Sequence, residues 1–206
     1  MSKIKFYLQI SDDDCKYYAD MIHLKRGESM ETGYHSSVRE QLIAAGIMEL
    51  EGHGIADFSL RRVAAACNLS CAAPYKHFKG KEDLIEAIFS HIHSQLQFLL
   101  QQVWQVHTDP AQRLIESCLA YIRFCIANPH FRAVLMLAGR ALPLADTVHR
   151  LMPQCCPHLS EQEREDRGFC IRSIAYGATL MLESGELDYQ EAVMNRIRES
   201  LKRELQ

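Results

Sequence analysis

The sequence predicts an all-α protein in which a three-helix N-terminal unit is followed by a larger helical region. The 206 residues are rich in Ala, Leu, Glu, Gln and Arg, which favour helices, and include only 10 Gly and 6 Pro. Apolar residues recur at spacings of three and four, as they do on one face of an amphipathic helix. No region alternates apolar and polar residues between regular turns, so a sandwich or barrel is not expected.

Composition also limits the class of protein. Hydrophobic residues make up 48% of the chain, which is enough for a substantial core. The longest apolar run, residues 133–139, ends at Arg140 and is too short to span a bilayer. Lys3 and Lys5 are followed by polar and acidic residues, unlike a secretory signal. A cytoplasmic location is therefore expected, and there the eight scattered cysteines would be reduced.

The first two helices have clear start and stop signals. Ser37 is expected to cap a helix that runs to about Glu51 and ends at the glycines of residues 52–54. One buried face of this helix is expected at Ile43, Ile47 and Leu50. Ser59 is expected to cap the second helix, whose apolar residues fall at i, i+3, i+4 and i+7: Leu60, Val63, Ala64 and Cys67.

A tight turn and a third helix are predicted next. Asn68 tolerates the left-handed conformation that such a turn requires, and Leu69 is expected to be buried. Ser70 is the expected N-cap of a short helix that ends near Phe78. Pro74 would be its fourth residue, where the missing amide costs a hydrogen bond, so the helix is expected to be short or irregular.

Longer helices fill the rest of the chain. One should run from Lys81 to about Val106, with Leu84, Ile88, His91, Leu96, Leu99 and Leu100 along it. Asp109 and Pro110 should start the next, which ends at Asn128, and residues 130–140 should form another. Pro143, Pro153 and Pro157 are then expected to break the chain into short pieces.

The last two helices are predicted from capping pairs. Ser160 with Glu163 would start one and Asp188 with Glu191 the other. Their apolar stripes are Ile171, Ile174, Ala175, Ala178 and Leu182 in the first, and Met194, Ile197, Leu201 and Leu205 in the second.

The helix-turn-helix of residues 59–81 is also a basic strip on an acidic protein. It has five basic residues and no acidic one, whereas the whole chain has a net charge of −3. The five are Arg61, Arg62, Lys76, Lys79 and Lys81. Local positive charge of this kind favours a polyanion, and the helix-turn-helix pattern indicates DNA.

This segment resembles the TetR/AcrR family of bacterial transcriptional regulators over residues 38–89. The matching motifs are residues 59–64 (SLRRVA), 68–70 (NLS), 75–78 (YKHF) and 81–84 (KEDL). Asn68 replaces the family's usual glycine, and Pro74 replaces a usual Leu or Ile. The resemblance implies an N-terminal DNA-binding domain over residues 36–83 and an effector-binding and dimerisation domain over residues 84–206. No cofactor is expected.

The resemblance implies roles for individual residues. Cys71, Ala72 and Ala73 would lie near base edges, where small side chains meet a thymine methyl. Tyr75, His77 and Lys81 would contact phosphates, and Ser59 and Ser70 would present hydroxyls and amides to them. The full set of expected DNA-binding residues is Ser59, Arg61, Ser70, Cys71, Ala72, Ala73, Tyr75, Lys76, His77 and Lys81.

The family also implies a homodimer that binds a palindromic operator and is released by a small effector. The last two helices would form the dimer interface through their apolar stripes. The effector site would be built from Trp104, Tyr121, Phe124, Cys125, Phe131, Met136, His149 and Tyr176. Few charges lie among them, which favours an apolar or cationic aromatic effector. Repression is the family expectation, and activation stays open.

Residues 1–35 are predicted to be a loosely attached arm. Residues 25–29 can be encoded by a purine-rich stretch that resembles a ribosome-binding site, so the expected natural start is Met30 and residues 1–29 would lie upstream of it. The alternative is an arm that enters a minor groove of the DNA, although residues 12–14 are all Asp and give it the wrong charge.

Two other functions compete with ligand-responsive regulation. Cys155, Cys156 and His158 form a soft-ligand cluster, and Cys67 and Cys71 flank the predicted turn, so thiol or metal sensing is an alternative. The spacing matches no standard zinc pattern, and no metal site is predicted. A helical enzyme or interaction protein is a remote alternative, because the sequence has no nucleophile elbow, metalloprotease motif or phosphate-binding glycine loop.

Overall fold

A computed structural model describes residues 37–128 and 144–206 of the chain. These residues form seven α-helices, one 3₁₀ helix and no strand, which confirms the predicted all-α fold. The α-helices are α1 Val38–His53, α2 Leu60–Ala66, α3 Lys81–Val106, α4 Pro110–Ala127, α5 Leu144–Cys155, α6 Glu161–Glu183 and α7 Glu191–Arg203, and the 3₁₀ helix is Pro74–Lys76.

The chain divides into two compact units, residues 1–92 and 93–206, and the division falls inside α3. The predicted arm, the helix of residues 130–140, and the effector candidates Phe131 and Met136 lie outside the described residues. In the part of the chain that is described, no helix is long and apolar enough to cross a membrane.

The N-terminal unit starts at a capping box, as predicted. The Ser37 hydroxyl accepts the amide of Glu40, and the Glu40 carboxylate accepts the amide of Ser37. Helix α1 ends at Gly54, which has a φ of 70° and so adopts a conformation that favours glycine. Ile43 and Leu50 are buried as predicted, whereas Ile47 is half-buried.

Helix α1 lies close to α3 in this unit. A Cβ atom at Gly46 would lie 2.7 Å from Cδ1 of Ile88, so only glycine allows this approach without a shift. Phe78, Leu84 and Ile88 are buried in the same core. The apolar face of α3 is therefore as predicted, except that His91 is exposed.

Helix α4 is the central element of the C-terminal unit and packs against α5, α6 and α7. Asp109 caps it and Pro110 is its first residue, as predicted. An ion pair between Arg198 and Glu116 joins α7 to α4. Arg167 of α6 donates hydrogen bonds to the carbonyl oxygens of Arg203 and Glu204, which satisfies the end of α7.

Three predicted details differ, two of them in this unit. The Ser160–Glu163 capping box is present, but α7 begins after Gln190, whose side chain makes no capping bond, so Asp188 is not the N-cap. Pro153 lies inside α5 and does not break it. It can be accommodated because it lies in the last turn, where only one amide bond is lost. Leu69, in the N-terminal unit, is half-buried and not buried.

Candidate functional site

The turn after α2 has the geometry that its sequence predicts. Asn68 has a φ of 56°, in the left-handed region. Its amide donates to the carbonyl of Ala65, and the amide of Leu69 donates to the carbonyl of Ala64. This pair of bonds is a Schellman motif, which closes α2 and sharply redirects the chain.

The predicted third helix is replaced by the 3₁₀ helix Pro74–Lys76. Ser70 is not its N-cap: the residue before the helix is Ala73, which makes no side-chain capping bond. Pro74 has no amide with which to bond the carbonyl of Ser70, so a regular helix that ran through it would lose that hydrogen bond. Pro74 instead takes the first helical position, where no amide is needed, and its ring is buried.

Most of the expected DNA-binding side chains point into solvent. Tyr75 is 62% exposed. Exposed with it are Arg61, Ser70, Cys71, Ala72, Lys76 and His77. Ser59, Ala73 and Lys81 are half-buried. The segment between α2 and α3 therefore presents an aromatic hydroxyl, cationic groups and small side chains on an otherwise packed unit.

A buried carboxylate organises the start of α2. The Glu49 side chain is only 7% exposed, and its Oε1 atom accepts the Ser59 amide at 3.1 Å and the Arg62 Nε at 2.8 Å. Arg62 also donates to the carbonyl of Asp57, and His53 Nδ1 lies 3.3 Å from Glu49 Oε2. Burial alone would raise the pKa of the Glu49 carboxyl, but the hydrogen bonds from Arg62 and Ser59 and the charge of Arg62 lower it by more, so the net pKa lies below its ordinary value.

Some cations of the basic strip make bonds within the N-terminal unit and are not wholly available to DNA. Arg62 is one of its five cations, but its guanidinium bonds Glu49 and the carbonyl of Asp57 and so holds α1 to α2. The Ser59 amide is likewise used by Glu49. Lys81 donates from Nζ to the carbonyl of Ala56 at 3.2 Å, which fixes the loop before α2 and leaves two of its three donors for another partner.

Sequence analysis missed one exposed cation beside this surface. Arg39 is exposed, and its guanidinium lies 5.3 Å from the centre of the Phe78 ring. It belongs to α1, outside the helix-turn-helix, so position in the sequence alone gave no signal. One pattern could have suggested it. Arg39 is a basic residue in the first turn of a capped helix, in the same unit as the basic strip.

A second candidate site is a cleft of about 190 Å³ in the C-terminal unit. Helices α3 and α5 line it with Gln97, Leu100, Gln101, Trp104, Asp146, Thr147 and Arg150. Trp104 donates from Nε1 to the Ser117 hydroxyl at 3.2 Å. The Arg150 guanidinium lies 4.1 Å from the centre of the Trp104 ring, and that of Arg113 lies 6.0 Å from it.

Of the expected effector residues within 37–128 and 144–206, only Trp104 lines this cleft. Tyr121, Phe124 and Cys125 are buried in the core around α4. Tyr121 and Tyr176 meet edge to face, with ring centres 5.5 Å apart, and burial raises the pKa of Tyr176 to about 12. His149 is exposed and does not line the cleft.

The surroundings of Cys155 and Cys67 do not favour thiol sensing at these two residues. Burial, together with the neighbouring Cys156, raises the pKa of the Cys155 thiol to about 12, and burial raises the pKa of Cys67. Thiols with raised pKa values stay protonated and react slowly. Within residues 37–128 and 144–206, no group of three His, Cys, Asp or Glu residues could hold a metal ion.

The capped helix, the Asn68 turn and the exposed basic segment define a helix-turn-helix protein with a separate helical unit. Residues 42–88 match the family model described as "Bacterial regulatory proteins, tetR family". The chain is 25% identical over 100 residues to the "Probable acrEF/envCD operon repressor" of Escherichia coli (strain K12), a match that covers 48% of this chain and 46% of that one. Residues 42–88 therefore form a DNA-binding domain of the TetR family of transcriptional regulators.

Solved structures share the fold. A TetR-family transcriptional regulator from Streptomyces coelicolor is 18% identical with a TM-score of 0.63, over 81% of this chain and 93% of that one. A TetR variant from Acinetobacter baumannii AYE, solved in complex with minocycline, is 18% identical with a TM-score of 0.56, over 82% and 95%. The sequence match to the curated repressor spans about half of that protein's length. The similarity to the Streptomyces coelicolor structure is one of fold and spans 81% of this chain.

Proposed function

We propose that this protein is a repressor that binds a palindromic operator as a homodimer in the bacterial cytoplasm and is released by a small-molecule effector. The observation that carries the proposal is the exposed segment after the Asn68 turn, where Tyr75, Lys76 and His77 point into solvent beside Arg61. Hydroxyl and cationic groups of this kind contact phosphates, and the small side chains of Cys71 and Ala72 can approach base edges.

The one-turn 3₁₀ helix limits what each copy can read. A recognition element of three residues places few side chains in a major groove, so base-specific contacts should be few and should come mainly from Cys71, Ala72 and Ala73, just before it. Two copies related by two-fold symmetry would double both the base contacts and the phosphate contacts. Dimerisation is therefore what this element requires for useful affinity.

The surface that supports a homodimer is not the one that the apolar stripes suggested. In the structure, Ile171, Ala175 and Ala178 of α6 and Met194, Ile197 and Leu201 of α7 are buried inside the unit. The opposite face of α6 carries exposed Phe169, Leu180 and Met181, with Ser173 and Gly177 between them. A Cβ atom at Gly177 would meet nothing within 4 Å, so a partner helix could approach closely there.

Helix α7 contributes a polar outer face to the same region. Its exposed residues are almost all polar or charged, which suits the rim of an interface better than its centre. They are Glu191, Ala192, Asn195, Arg196, Glu199, Lys202 and Arg203. We therefore place the dimer centre on the outer face of α6. Effector release would follow from population shift, in which the effector prefers a dimer whose recognition elements are wrongly spaced for the operator.

The DNA-binding proposal is tested by replacing Tyr75 and Lys76 together with Ala. Both are exposed, so folding should be unaffected, and affinity for DNA upstream of the protein's own gene should fall at least about tenfold. Loss of one lysine–phosphate contact should also reduce the salt dependence of binding by about one unit of slope. Fluorescence anisotropy with labelled DNA at several salt concentrations measures both.

Arg196→Ala is the matched control, because Arg196 is an exposed cation on α7 of the other unit, and a charge at the rim of an interface contributes little to assembly. It should leave affinity and salt slope unchanged. Equal losses in the control and the double variant would mean that binding follows overall charge, and unchanged binding by the double variant would remove the proposed interface.

A further inference from the structure

The cleft between α3 and α5 is lined by two apolar side chains, Leu100 and Trp104, and by polar ones. Leu100 and Thr147 are its buried lining residues, and Trp104 is half-buried. The exposed residues of the rim are Gln101, Asp146 and Arg150. A volume of about 190 Å³ is below the range of roughly 300–1,000 Å³ that drug-sized ligands occupy. The cleft therefore suits a small ligand with one flat apolar part and few polar groups.

Arg150 is the charged group best placed to recognise such a ligand. Its guanidinium lies over the Trp104 ring at 4.1 Å, which holds a normally flexible side chain in one place. Among the described residues its guanidinium makes no hydrogen bond or ion pair, so its N–H groups are available around the edge of the stacked plane. A guanidinium whose plane is fixed in this way presents the paired donors that match a carboxylate.

The remaining charges define the ligand further. Asp146 lies one helical turn before Arg150, and no ion pair joins the two residues. Its negative charge on the same rim opposes multiply charged anions such as phosphate more than a single carboxylate. The Trp104 face that could hold a ligand cation is already covered by Arg150. This arrangement disfavours the cationic aromatic effector that sequence composition suggested.

We propose that the cleft binds a small aromatic or otherwise flat monocarboxylate. Its carboxylate would pair with Arg150, its apolar body would rest against Leu100 and Trp104, and the amides of Gln97 and Gln101 would bond any further polar group. As a statement about the effector, this rests on the proposed regulatory function. As a statement about binding, it can be tested on the free protein.

Trp104 makes the test direct, because it is the only tryptophan in the chain. Benzoate and phenylacetate are titrated against intrinsic fluorescence, with their uncharged amides, benzamide and phenylacetamide, as matched probes. At least one acid should give a saturable change, and its amide should bind at least about tenfold more weakly, because only the acid pairs with the guanidinium. Calorimetry supplies a second readout that does not depend on the indole.

Arg150→Gln should weaken binding of that acid at least about tenfold, and Arg150→Lys should recover only part of it, since an ammonium lacks the paired donors. Arg196→Gln, an exposed arginine on α7, should bind like the unaltered protein. Matching thermal unfolding curves would show that the Arg150 variants are folded.

Several results would overturn the proposal: no saturable binding of either acid, equal binding of acid and amide, or unchanged binding in Arg150→Gln. A DNA-binding assay with and without the acid separates this proposal from the regulatory one. If the acid binds through Arg150 but leaves DNA affinity unchanged, the cleft proposal stands and its role as the effector site fails. If the acid binds to the protein but DNA does not, the regulatory proposal fails and the cleft proposal stands.

Discussion

Among single residues, Glu49 has the greatest influence on the N-terminal unit. One buried carboxylate accepts the Ser59 amide and the Arg62 side chain, and so joins α1 to the start of α2. Removing its charge leaves Arg62 without a carboxylate and the Ser59 amide with a weaker acceptor. Because Arg62 is half-exposed and can regain water, the cost is smaller than for a fully buried pair.

We predict that Glu49→Gln lowers the free energy of unfolding by about 1–2 kcal/mol at neutral pH. A carboxyl with a lowered pKa stabilises the fold above its unfolded pKa, and that contribution is lost as pH falls through the folded pKa. The difference between variant and unaltered protein should therefore shrink below about pH 4. Urea unfolding at pH 7 and pH 3.5 measures it, and a difference that does not depend on pH would contradict this role of the charge.

Residue types alone could not separate these roles. Arg61 and Arg62 are adjacent and chemically identical, yet one is free and the other binds Glu49, 13 residues earlier on another helix. The pairing exists only because α1 and α2 pack together. Sequence motifs identified the surface that carries the exposed groups, but not which of its cations are used internally.

At the scale of elements, the Asn68 turn sets the direction of the chain after α2. We predict that Asn68→Val destabilises the protein by about 1–2 kcal/mol, because a β-branched residue is strained at positive φ. Asn68→Gly, the matched variant, should be neutral or stabilising, because glycine adopts this conformation freely. Chemical denaturation compares them, and equal stability of the two variants would show that the turn is not held at positive φ in solution.

Short sequence patterns predicted the helix starts well wherever the capping bond lies within the pattern. Caps at Ser37, Ser59, Asp109 and Ser160 bond amides only three residues away, so a short pattern specifies each one. The short pattern after Ser70 could not specify in this way where the next helix begins. Pro74 could have ended, kinked or begun a helix, and burial of its ring, which depends on the rest of the unit, decides that it begins one.

At the scale of the whole molecule, the face of α6 that the sequence predicted to form the dimer interface packs inside its own unit, and apolar residues are exposed on the opposite face. Helical spacing shows which residues share a face, but it cannot show whether that face meets its own unit or a second copy. Three residues of the predicted stripe, Ile171, Ala175 and Ala178, are buried within the monomer, and Ile174 and Leu182 are half-buried. Phe169, 63% exposed, and Leu180, 50% exposed, are left on the outside.

We predict that Phe169→Glu converts a dimer to a monomer, because it would bury two like charges near the two-fold axis. Sedimentation velocity at micromolar concentration measures the assembly, and operator affinity should fall with it. Ala192→Glu, at the rim of the proposed interface, adds the same charge where water can still solvate it and should remain dimeric. A Phe169→Glu protein that still sediments as a dimer would place the interface elsewhere.

The exposure of the cysteines has a practical consequence. Of the seven in the described residues, only Cys71 is exposed, and it lies on the segment proposed to face DNA. The others are buried or half-buried, so they should react with maleimide dyes much more slowly. With Cys15 of the N-terminal segment changed to Ser, Cys71 becomes a single attachment point for a fluorophore. Protection of that thiol from labelling would then time the arrival and departure of an operator in solution.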